Sequence, residues 1–222
     1  MLIDPYMIKR LPKYHPKRLI YTGWARWSDY SSRCFFEEYE LPRKLLIDSP
    51  EAPPACWDET QVMPIQARYL LWALSETASI DGCVVEVGSW RGVTTSVVAG
   101  QTSATVIAID PWIGSLAEPN FTAFLSRTKS LANVVHERKA FGRAVREWSH
   151  GPIRFIFIDA AHDYANVSHD IAAARRLVMP GGMIALHDTD NVAFPGCRRA
   201  VYEVAEQFEL AAHIDNLTIF KV

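Results

Sequence analysis

The sequence predicts an α/β protein in which one open sheet is preceded by an N-terminal arm. Four short segments rich in Val and Ile alternate with helical or glycine-marked stretches, which is typical of buried parallel strands joined by helices. The chain has 222 residues, of which 49% are apolar and 22% charged, so it suits one globular domain with a substantial core. A break in composition near residue 60 separates the arm from this domain.

The predicted arm comprises residues 1–59 and is rich in aromatic residues and proline. The first 60 residues hold 10 of the 25 aromatic residues and 7 of the 13 prolines, but one of the 11 glycines. This composition is too aromatic for a disordered tail and too rich in proline for one long helix. We therefore expect an extended arm that packs on the main body or on a second subunit. The alternative is an extension with no function of its own.

The main domain, residues 60–222, begins with an amphipathic helix, which the apolar spacing predicts over residues 66–74. The Val- and Ile-rich segments predict strands at 84–87, 106–109, 153–158 and 183–186. Residues 217–222 alternate between apolar and polar side chains, which predicts a last strand with one solvated face.

The residues after the first two strands predict a ligand pocket, because ligands bind beyond the carboxyl ends of the strands in open α/β sheets. Gly88 and Gly92 form a G-x-x-x-G pattern, which differs from the dinucleotide G-x-G-x-x-G pattern and which a structural turn explains equally well. Asp110 lies 22 residues beyond Gly88, a spacing that suits the two hydroxyls of a ribose. Pro111 and Trp112 follow, and the Trp112 ring is placed to stack on an adenine.

The third and fourth strands both end in carboxylates, Asp159 and Asp188, which a parallel sheet brings to one edge. Two such oxygen ligands with water suit Mg²⁺, and adjacent carboxylates need a cation or a bound proton between them. His187 is placed to complete the ligand set, with a preference for a transition metal. The alternative is that Asp163 caps the next helix and Asp188 caps a turn. We favour capping for Asp163 and the functional role for Asp159 and Asp188.

His162 has three candidate roles: general base, metal ligand or structural histidine. It lies three residues after Asp159, and its ordinary pKa range suits proton abstraction near neutral pH. We favour the role of base.

Charge and composition exclude several classes of protein. The net charge of −2 argues against a nucleic-acid binder, and no apolar run reaches the ~18 residues of a membrane helix. The first residues lack a basic stretch followed by an apolar core, so we expect no secretory signal and a cytoplasmic location. The four cysteines are scattered without CxxC spacing, which argues against a zinc site or a disulfide framework.

Together these residues resemble a class I S-adenosylmethionine-dependent methyltransferase, of the branch that contains macrolide-sugar O-methyltransferases and cephalosporin-hydroxylase-like proteins. The resemblance covers residues 60–222 and is most specific in its second half. It rests on residues 85–92 (VEVGSWRG), 109–112 (IDPW), 155–164 (FIFIDAAHDY) with Asp170, 180–188 (PGGMIALHD) and 195–201 (PGCRRAV).

The resemblance implies a Rossmann-like open sheet of seven strands, mostly parallel with an antiparallel C-terminal strand, flanked by helices. It implies that Asp110 binds the ribose of S-adenosylmethionine, that residues 141–143 lie near the adenine, and that metal-dependent relatives bind Mg²⁺ through Asp159 and Asp188. The cofactor-binding residues are then expected to be Glu86, Gly88, Ser89, Gly92, Asp110, Pro111, Trp112, Gly142, Arg143 and Asp159.

The chain departs from the family pattern at three positions. His187 and Thr189 flank Asp188 where relatives carry Glu or Asn, and Arg143 replaces the usual serine after Gly142. The first two departures bear on the metal site and the third on the adenine contacts.

The function predicted from these features is S-adenosylmethionine-dependent methyl transfer to the hydroxyl of a small substrate, such as a sugar, a phenol or a natural product, assisted by a divalent metal. Two alternatives remain open. One is an adenosine-nucleotide-binding α/β protein that transfers no methyl group, and the other is a structural subunit whose arm binds a partner enzyme. We expect no nucleic-acid or membrane partner, and a homo-oligomer, if one forms, to assemble through the arm.

Overall fold

The computed structural model describes residues 11–46 and 59–222. Within these residues lies a single seven-stranded sheet. The strands are β1 (Cys83–Val87), β2 (Val106–Ile109), β3 (Val134–Glu137), β4 (Ile153–Ile158), β5 (Val178–Leu186), β6 (Glu209–Ile214) and β7 (Leu217–Lys221). Their order in the sheet is β3-β2-β1-β4-β5-β7-β6. Strands β1 to β5 are parallel, and β7 runs antiparallel to both β5 and β6. The predicted open α/β sheet is confirmed.

Helices cover both faces of the sheet. In chain order they are α1 (Pro16–Cys34), α2 (Pro64–Glu76), α3 (Val93–Gly100), α4 (Ala117–Thr128), α5 (Phe141–Arg146), α6 (Tyr164–Leu177) and α7 (Pro195–Val204). No helix among residues 11–46 and 59–222 is both long enough and apolar enough to cross a membrane.

Alternate side chains of each central strand build two separate cores. Val85, Ile156 and Ile184 point to the face covered by α5, α6 and α7. Val84 and Phe155 point to the opposite face, which is covered by α2 and α3. The central strands are therefore buried on both sides, and this explains why they are continuous runs of Val, Ile and Phe.

The register of the parallel strands aligns their carboxyl ends. Val87 pairs with Ile109 on one side and with Ile158 on the other, and Ile158 pairs with Leu186. The next residues of these four strands, which are Gly88, Asp110, Asp159 and His187, therefore form one row along the sheet edge. The row includes the switch point between β1 and β4, where the chain winds in opposite directions and where ligands bind in such sheets.

Two features of the sheet differ from the sequence prediction. Strands β3 and β6 were not among the predicted segments, since β3 has only partly buried or exposed side chains. Strand β7 is buried over Leu217–Phe220, so the expected solvated face is wrong. The reason is its position: β7 lies between β5 and β6 with helices on both sides, and its polar Thr218 is bonded to Thr189 and His213.

The N-terminal arm is helical in its described part, which corrects the expectation of an extended chain. Pro16 occupies the first turn of α1, where its missing N–H costs no hydrogen bond, so the 19-residue helix runs unbroken to Cys34. The buried side of α1 packs on α6 and α7 through small serines and Tyr21. Farther along, Lys44 forms an antiparallel bridge with His213 at the exposed edge of β6. The remaining residues of the predicted arm, 1–10 and 47–58, lie outside the described residues.

Glycine at position 88 is required by a close contact between two loops. Gly88 has φ +94°, and a Cβ built there would lie 1.7 Å from the carbonyl oxygen of Asp159. We expect Gly88→Ala to lower the free energy of unfolding by about 3 kcal/mol or more, because either the chain after β1 or that after β4 must move. Urea unfolding measures the change.

The matched control is Gly23→Ala in the middle of α1, where an added Cβ meets nothing within 4 Å. This substitution should raise the free energy of unfolding by about 0.5–1 kcal/mol, because alanine loses less backbone entropy in a helix. Equal effects at the two positions would contradict the proposed contact between the β1 and β4 loops.

Candidate active site

A cavity of about 480 Å³ lies at the carboxyl edge of the sheet, above β1, β2 and β4. Several residues predicted from the sequence line it, namely Glu86, Gly88, Ser89, Asp110, Pro111, Asp159 and His162. The remaining lining residues include Thr60, Gln61, Trp90, Arg91, Thr94, Ile113, Ala140, Phe141 and Asn166. Its size is within the range of pockets that bury a small organic ligand.

Glu86 is the buried carboxyl at the floor of the cavity. It is the fourth residue of β1, with a relative exposure of 6%, and its side chain accepts a hydrogen bond from the hydroxyl of Thr95. Burial raises the pKa of Glu86 to about 7, and the nearby carboxylates Asp159 and Asp110 add to the rise, while hydrogen bonds to the charged form oppose it. At neutral pH this carboxyl is therefore close to half protonated.

Asp110 organises the opposite wall through backbone amides. Its Oδ2 accepts from the N–H of Trp90 at 2.9 Å and its Oδ1 from the N–H of Trp112 at 2.6 Å. Both tryptophans have positive φ, +42° for Trp90 and +40° for Trp112, a conformation that costs energy for bulky side chains. Burial raises the pKa of Asp110, and the two amides partly offset this rise. One carboxylate thus holds two strained loops in place and keeps a second acceptor position free on each oxygen.

Trp112 and Gly92 lie outside the cavity lining and pack against α4. The Trp112 ring is 4% exposed, packs against Phe121 and Phe124, and donates its indole N–H to the carbonyl of Trp90. It is not available to stack on an adenine, so this expectation is corrected. A Cβ at Gly92 would approach the Phe124 ring to 2.8 Å, which explains the second glycine of the G-x-x-x-G pattern.

Gly142 and Arg143 also lie outside the lining. They follow Ala140 and Phe141, which do line the cavity, and they belong to the first turn of α5. Arg143 is half exposed and pairs with Glu147 one turn later in the same helix. The stretch predicted to lie near an adenine therefore borders the cavity, where Phe141 is among the lining residues and Arg143 is not.

Asp159, His162 and Asp188 form a compact cluster, of which Asp159 and His162 line the cavity and the buried Asp188 lies behind them. His162 Nε2 lies 3.3 Å from Asp159 Oδ1 and 3.1 Å from Asp188 Oδ2. One ligand atom from each of the three residues lies within 4.8 Å of the others, a spacing that can hold a metal ion. The ring of Phe194 stacks on His162 with centroids 4.4 Å apart and limits its rotation. Asp188 has a φ of +56°, and Asn191 bonds to its other oxygen.

His187 approaches the same two carboxylates from inside the protein. Its Nε2 lies 3.0 Å from Gln66 Oε1, which already accepts the backbone N–H of Met63. Because that oxygen is an acceptor, His187 Nε2 carries a proton and its Nδ1 faces the carboxylates. Nδ1 is buried, makes no hydrogen bond of ordinary geometry, and lies 3.5 Å from Asp159 and 3.6 Å from Asp188. This nitrogen needs either a proton of its own or a cation.

The electrostatics of the cluster follow from this pairing of two acids with two histidines. Burial alone would raise the pKa of Asp159, but His162 and His187 lower it to about 2. Burial alone would lower the pKa of His187, but the adjacent Asp159 and Asp188 raise it to about 9. The pKa of His162 is raised in the same way, against the effect of burial. Protons on the histidines can therefore neutralise the carboxylates when no cation is bound.

The neighbouring polar residues have structural roles. Asp163 caps α6 by accepting the N–H of Asn166 at 3.0 Å, which confirms the helix-capping interpretation. Thr189, which replaces a family Glu or Asn, is buried and bonds to Thr218 of β7 at 2.8 Å. Its hydroxyl is therefore engaged elsewhere and does not belong to the cluster.

Several lining residues were not named from the sequence. Trp90 follows Ser89 and Ile113 follows Trp112. Both lie in the loops after β1 and β2, so a prediction that included these whole loops would contain them. Asn166 lines the cavity, and Gln66 contacts His187 behind it. Both are polar residues buried on helices, which is a detectable signal. Thr60 and Gln61 carry no such signal.

The strand ends that border the cavity lie within a segment that matches a known family. Residues 85–189 match a family described as a methyltransferase domain. This match, over slightly less than half of the chain, agrees with the resemblance to S-adenosylmethionine-dependent methyltransferases found from its residues. No curated protein sequence matches the chain.

Solved structures of O-methyltransferases share the fold. The O-methyltransferase NovP has a TM-score of 0.61 at 16% identity, over 73% of this chain and 81% of NovP. The O-methyltransferase TomG from Streptomyces achromogenes, solved with S-adenosylmethionine, has a TM-score of 0.59 at 16% identity, over 99% of this chain and 95% of TomG. An O-methyltransferase from Bacillus cereus, solved with S-adenosylhomocysteine, has a TM-score of 0.57 at 15% identity, over 88% of this chain and 90% of that one.

The raised pKa of Glu86 predicts a pH-dependent stability. Between the ordinary carboxyl pKa of 4.5 and the folded value of about 7, the native state holds a proton that the unfolded chain has lost. Stability therefore falls as pH rises through this range, by on the order of 3 kcal/mol for this group. From pH 5 to pH 8 the free energy of unfolding of the wild type should fall. In Glu86→Gln this fall should be smaller by about 2–3 kcal/mol, because glutamine has no proton to lose.

Urea unfolding at a series of pH values measures this difference. The control is Glu76→Gln, which removes an exposed carboxyl at the end of α2. That variant should follow the wild-type pH profile, whereas a Glu86→Gln profile parallel to the wild type would contradict the buried protonated carboxyl.

Proposed function

We propose that this protein transfers the methyl group of S-adenosylmethionine to a hydroxyl of a small molecule. The observation that carries the proposal is that one cavity is lined both by the carboxylate of Asp110 and by Asp159 and His162, the two members of the cluster that reach it. The first is suited to a nucleoside and the second to activating a hydroxyl. The sugar, phenol or natural product that supplies the hydroxyl is not distinguished by these features.

The cavity fits an adenosyl ligand chemically. Each oxygen of Asp110 accepts one backbone amide and has room for one further donor, which two adjacent ribose hydroxyls supply. Phe141 and Pro111 give apolar surface for an adenine, and Asn166 lines the same cavity. Asp159 adds negative charge near the β1 loop, and Glu86 adds an acceptor oxygen, and both suit the positive sulfonium and amino groups of the methyl donor.

The cluster also fits a divalent cation. Asp159 and Asp188 offer two oxygen ligands, and the buried, unpartnered Nδ1 of His187, 3.5 Å and 3.6 Å from them, offers a third. This set leaves Nε2 of His162 free to act as a base. A mixed set of oxygen and nitrogen ligands favours Mn²⁺ or another transition metal over Mg²⁺. A cation bound there would lower the pKa of the acceptor hydroxyl.

Within this arrangement the side chains align the acceptor and remove its proton. His162 accepts the hydroxyl proton at Nε2 while the acceptor oxygen takes the methyl group, so the role of base remains a proposal for this residue. A neutral His162 requires that Asp159 and Asp188 be neutralised by another group. A cation meets that need. A second proton on His187, whose pKa is raised to about 9, offsets the two carboxylates in part without a metal, and the pKa of His162 stays raised beside it.

The proposed partners are small hydroxylated molecules rather than nucleic acids or membranes, and the proposed location is cytoplasmic. Self-association through the arm also remains a proposal, since the outward face of α1 exposes four large side chains. These are Leu19, Ile20, Trp27 and Tyr30, all of them more than half exposed. Exposed apolar groups concentrated on one face are typical of contact surfaces.

Binding of S-adenosylmethionine should depend on Asp110. We expect Asp110→Asn to weaken binding by on the order of 30-fold to 100-fold, since a lost charge-assisted pair costs about 2–3 kcal/mol. Calorimetric titration with S-adenosylmethionine measures this, and NAD titrated in parallel separates a methyltransferase from a dinucleotide enzyme.

The matched control is Asp81→Asn, which removes an exposed carboxylate just before β1, at the opposite edge of the sheet. It should bind like the wild type. Unchanged affinity in a folded Asp110→Asn variant, or tighter binding of NAD than of S-adenosylmethionine, would overturn the assignment of the cavity.

Methyl transfer should depend on a metal at the cluster. Chelation is expected to lower turnover by about a hundredfold or more, because a bound cation contributes several kcal/mol of charge stabilisation, and Mn²⁺ or Mg²⁺ should restore it. His162→Ala should lower turnover strongly while binding of S-adenosylmethionine survives. Product formation by mass spectrometry measures both effects.

The control is Asp163→Asn, which removes a carboxylate next to His162 that caps α6 and does not face the cluster. Its turnover should retain the wild-type metal dependence. Full turnover in excess chelator would eliminate the metal and favour the protonated His187 arrangement, and full turnover in His162→Ala would eliminate the base.

A further inference from the structure

The N-terminal helix α1 touches the main domain next to the two loops that carry the cluster. It packs on α6 and α7, which begin directly after those loops. The loop between β4 and α6 carries Asp159 and His162, and the loop between β5 and α7 carries Asp188. None of residues 11–46 lines the cavity itself, so these contacts reach the site only from behind.

Asp29 of α1 ties down the first loop. Its Oδ1 accepts the backbone N–H of Tyr164, the first residue of α6, at 3.1 Å, and this bond spans 135 residues of sequence. The amides at the start of a helix have no partner within the helix, so a carboxylate placed there fixes the end of the chain that leads into it. Asp163 caps the same helix from within, whereas Asp29 caps it from a different element. Tyr164 is two residues beyond His162.

A ring contact reinforces this connection. Trp24, more than one turn before Asp29 on α1, packs edge-on against the Tyr164 ring with centroids 6.0 Å apart. The guanidinium of Arg199, on α7, lies over the Tyr164 ring, 4.3 Å from its centroid. It also donates a hydrogen bond to the hydroxyl of Ser31 on α1 at 2.8 Å. Tyr164 is thus held by both its backbone and its side chain.

Arg198 of α7 ties down the second loop. Its guanidinium pairs with Asp190 at 2.9 Å, and its Nε donates to the backbone carbonyl of Tyr39, just beyond α1, at 2.8 Å. The same guanidinium lies 4.1 Å from the centroid of the Phe36 ring. Asp190 is two residues beyond Asp188, just as Tyr164 is two residues beyond His162. Each loop of the cluster is therefore connected to the N-terminal segment two residues after its cluster residue.

We propose that Asp29 is a positioning residue that holds His162 in register with Asp159 and Asp188. The N-terminal segment is then part of the catalytic apparatus rather than an independent appendage. The inference rests on the proposed function insofar as the cluster is taken to bind a cation. Because partners behind a metal site commonly change its affinity by about 10–100-fold, losing the Asp29 bond should loosen the site measurably.

The test compares Asp29→Ala with Asp29→Asn in the full chain. Asparagine keeps an oxygen that can accept the Tyr164 N–H, whereas alanine does not. Hydrogen exchange of residues 159–166 reports on the loop directly, and titration with Mn²⁺ reports on the cluster. We expect Asp29→Ala to speed exchange at Tyr164 and to weaken Mn²⁺ binding about tenfold or more. Asp29→Asn should stay near the wild type in both, and binding of S-adenosylmethionine should change less than twofold in either.

A double variant, Asp29→Ala with Gly23→Ala, distinguishes a loss of loop position from a loss of overall stability. Adding Gly23→Ala stabilises α1 without touching the loop, so it should restore the midpoint of unfolding of Asp29→Ala but leave its Mn²⁺ affinity low. If Asp29→Ala does not fold, Asp29→Glu, which displaces the carboxylate by one methylene, takes its place.

Each remaining outcome refutes one statement. Unchanged exchange at residues 159–166 in the alanine variant, or Mn²⁺ affinity restored by Gly23→Ala, would overturn the positioning role. Wild-type protein that binds no Mn²⁺, with exchange still altered in Asp29→Ala, would instead overturn the metal site and leave the loop connection intact.

Discussion

The structure depends on the alignment of the carboxyl ends of four parallel strands. The pairing of Val87 with Ile109 and Ile158, and of Ile158 with Leu186, sets Gly88, Asp110, Asp159 and His187 side by side. A shift of one residue in any strand would move its polar terminus into a core face, which the two apolar layers forbid. The same interaction that buries the Val and Ile side chains therefore assembles the site.

The charged side chains at this edge cost desolvation free energy on folding, and such a cost is typical of a functional site. Asp159 and Asp188 face His162 and His187 in a partly buried place, where replacing one partner leaves an uncompensated charge. Gln66 fixes the orientation of His187 from behind, so the imidazole directs its free nitrogen at the carboxylates. Strained backbone at Asp188, Trp90 and Trp112 clusters around the same edge, as is typical of functional sites.

Much of the fold and part of the site were predictable from the sequence. The parallel strands and the strand-end residues Gly88, Asp110, Asp159 and Asp188 follow from local composition, since burial on both faces leaves an unbroken apolar run. Other features depend on distant partners. Trp112 became a core residue because Phe121 and Phe124 surround it, and β7 became buried because β6 covers its far edge.

The arm shows the same limit. Its prolines suggested an extended chain, but Pro16 lies in the first turn of α1, where proline is tolerated. Two residues far along the sequence, Tyr164 and Arg199, hold α1, and Arg198 holds Tyr39 just beyond it. No local pattern around Asp29 indicates that its partner is an amide 135 residues away. Likewise, the contact of Gln66 with His187 spans 121 residues.

The central claim is that the cavity holds a methyl donor next to a hydroxyl acceptor. The most direct measurement incubates the protein with S-adenosylmethionine labelled on its methyl group and a panel of hydroxylated sugars, phenols and polyketides, and follows the label by mass spectrometry. The account predicts that one member of the panel gains one labelled methyl group on oxygen, with one S-adenosylhomocysteine released for each transfer. Tight binding of S-adenosylmethionine without label on any oxygen, or label found only on nitrogen or carbon of the acceptor, would contradict it.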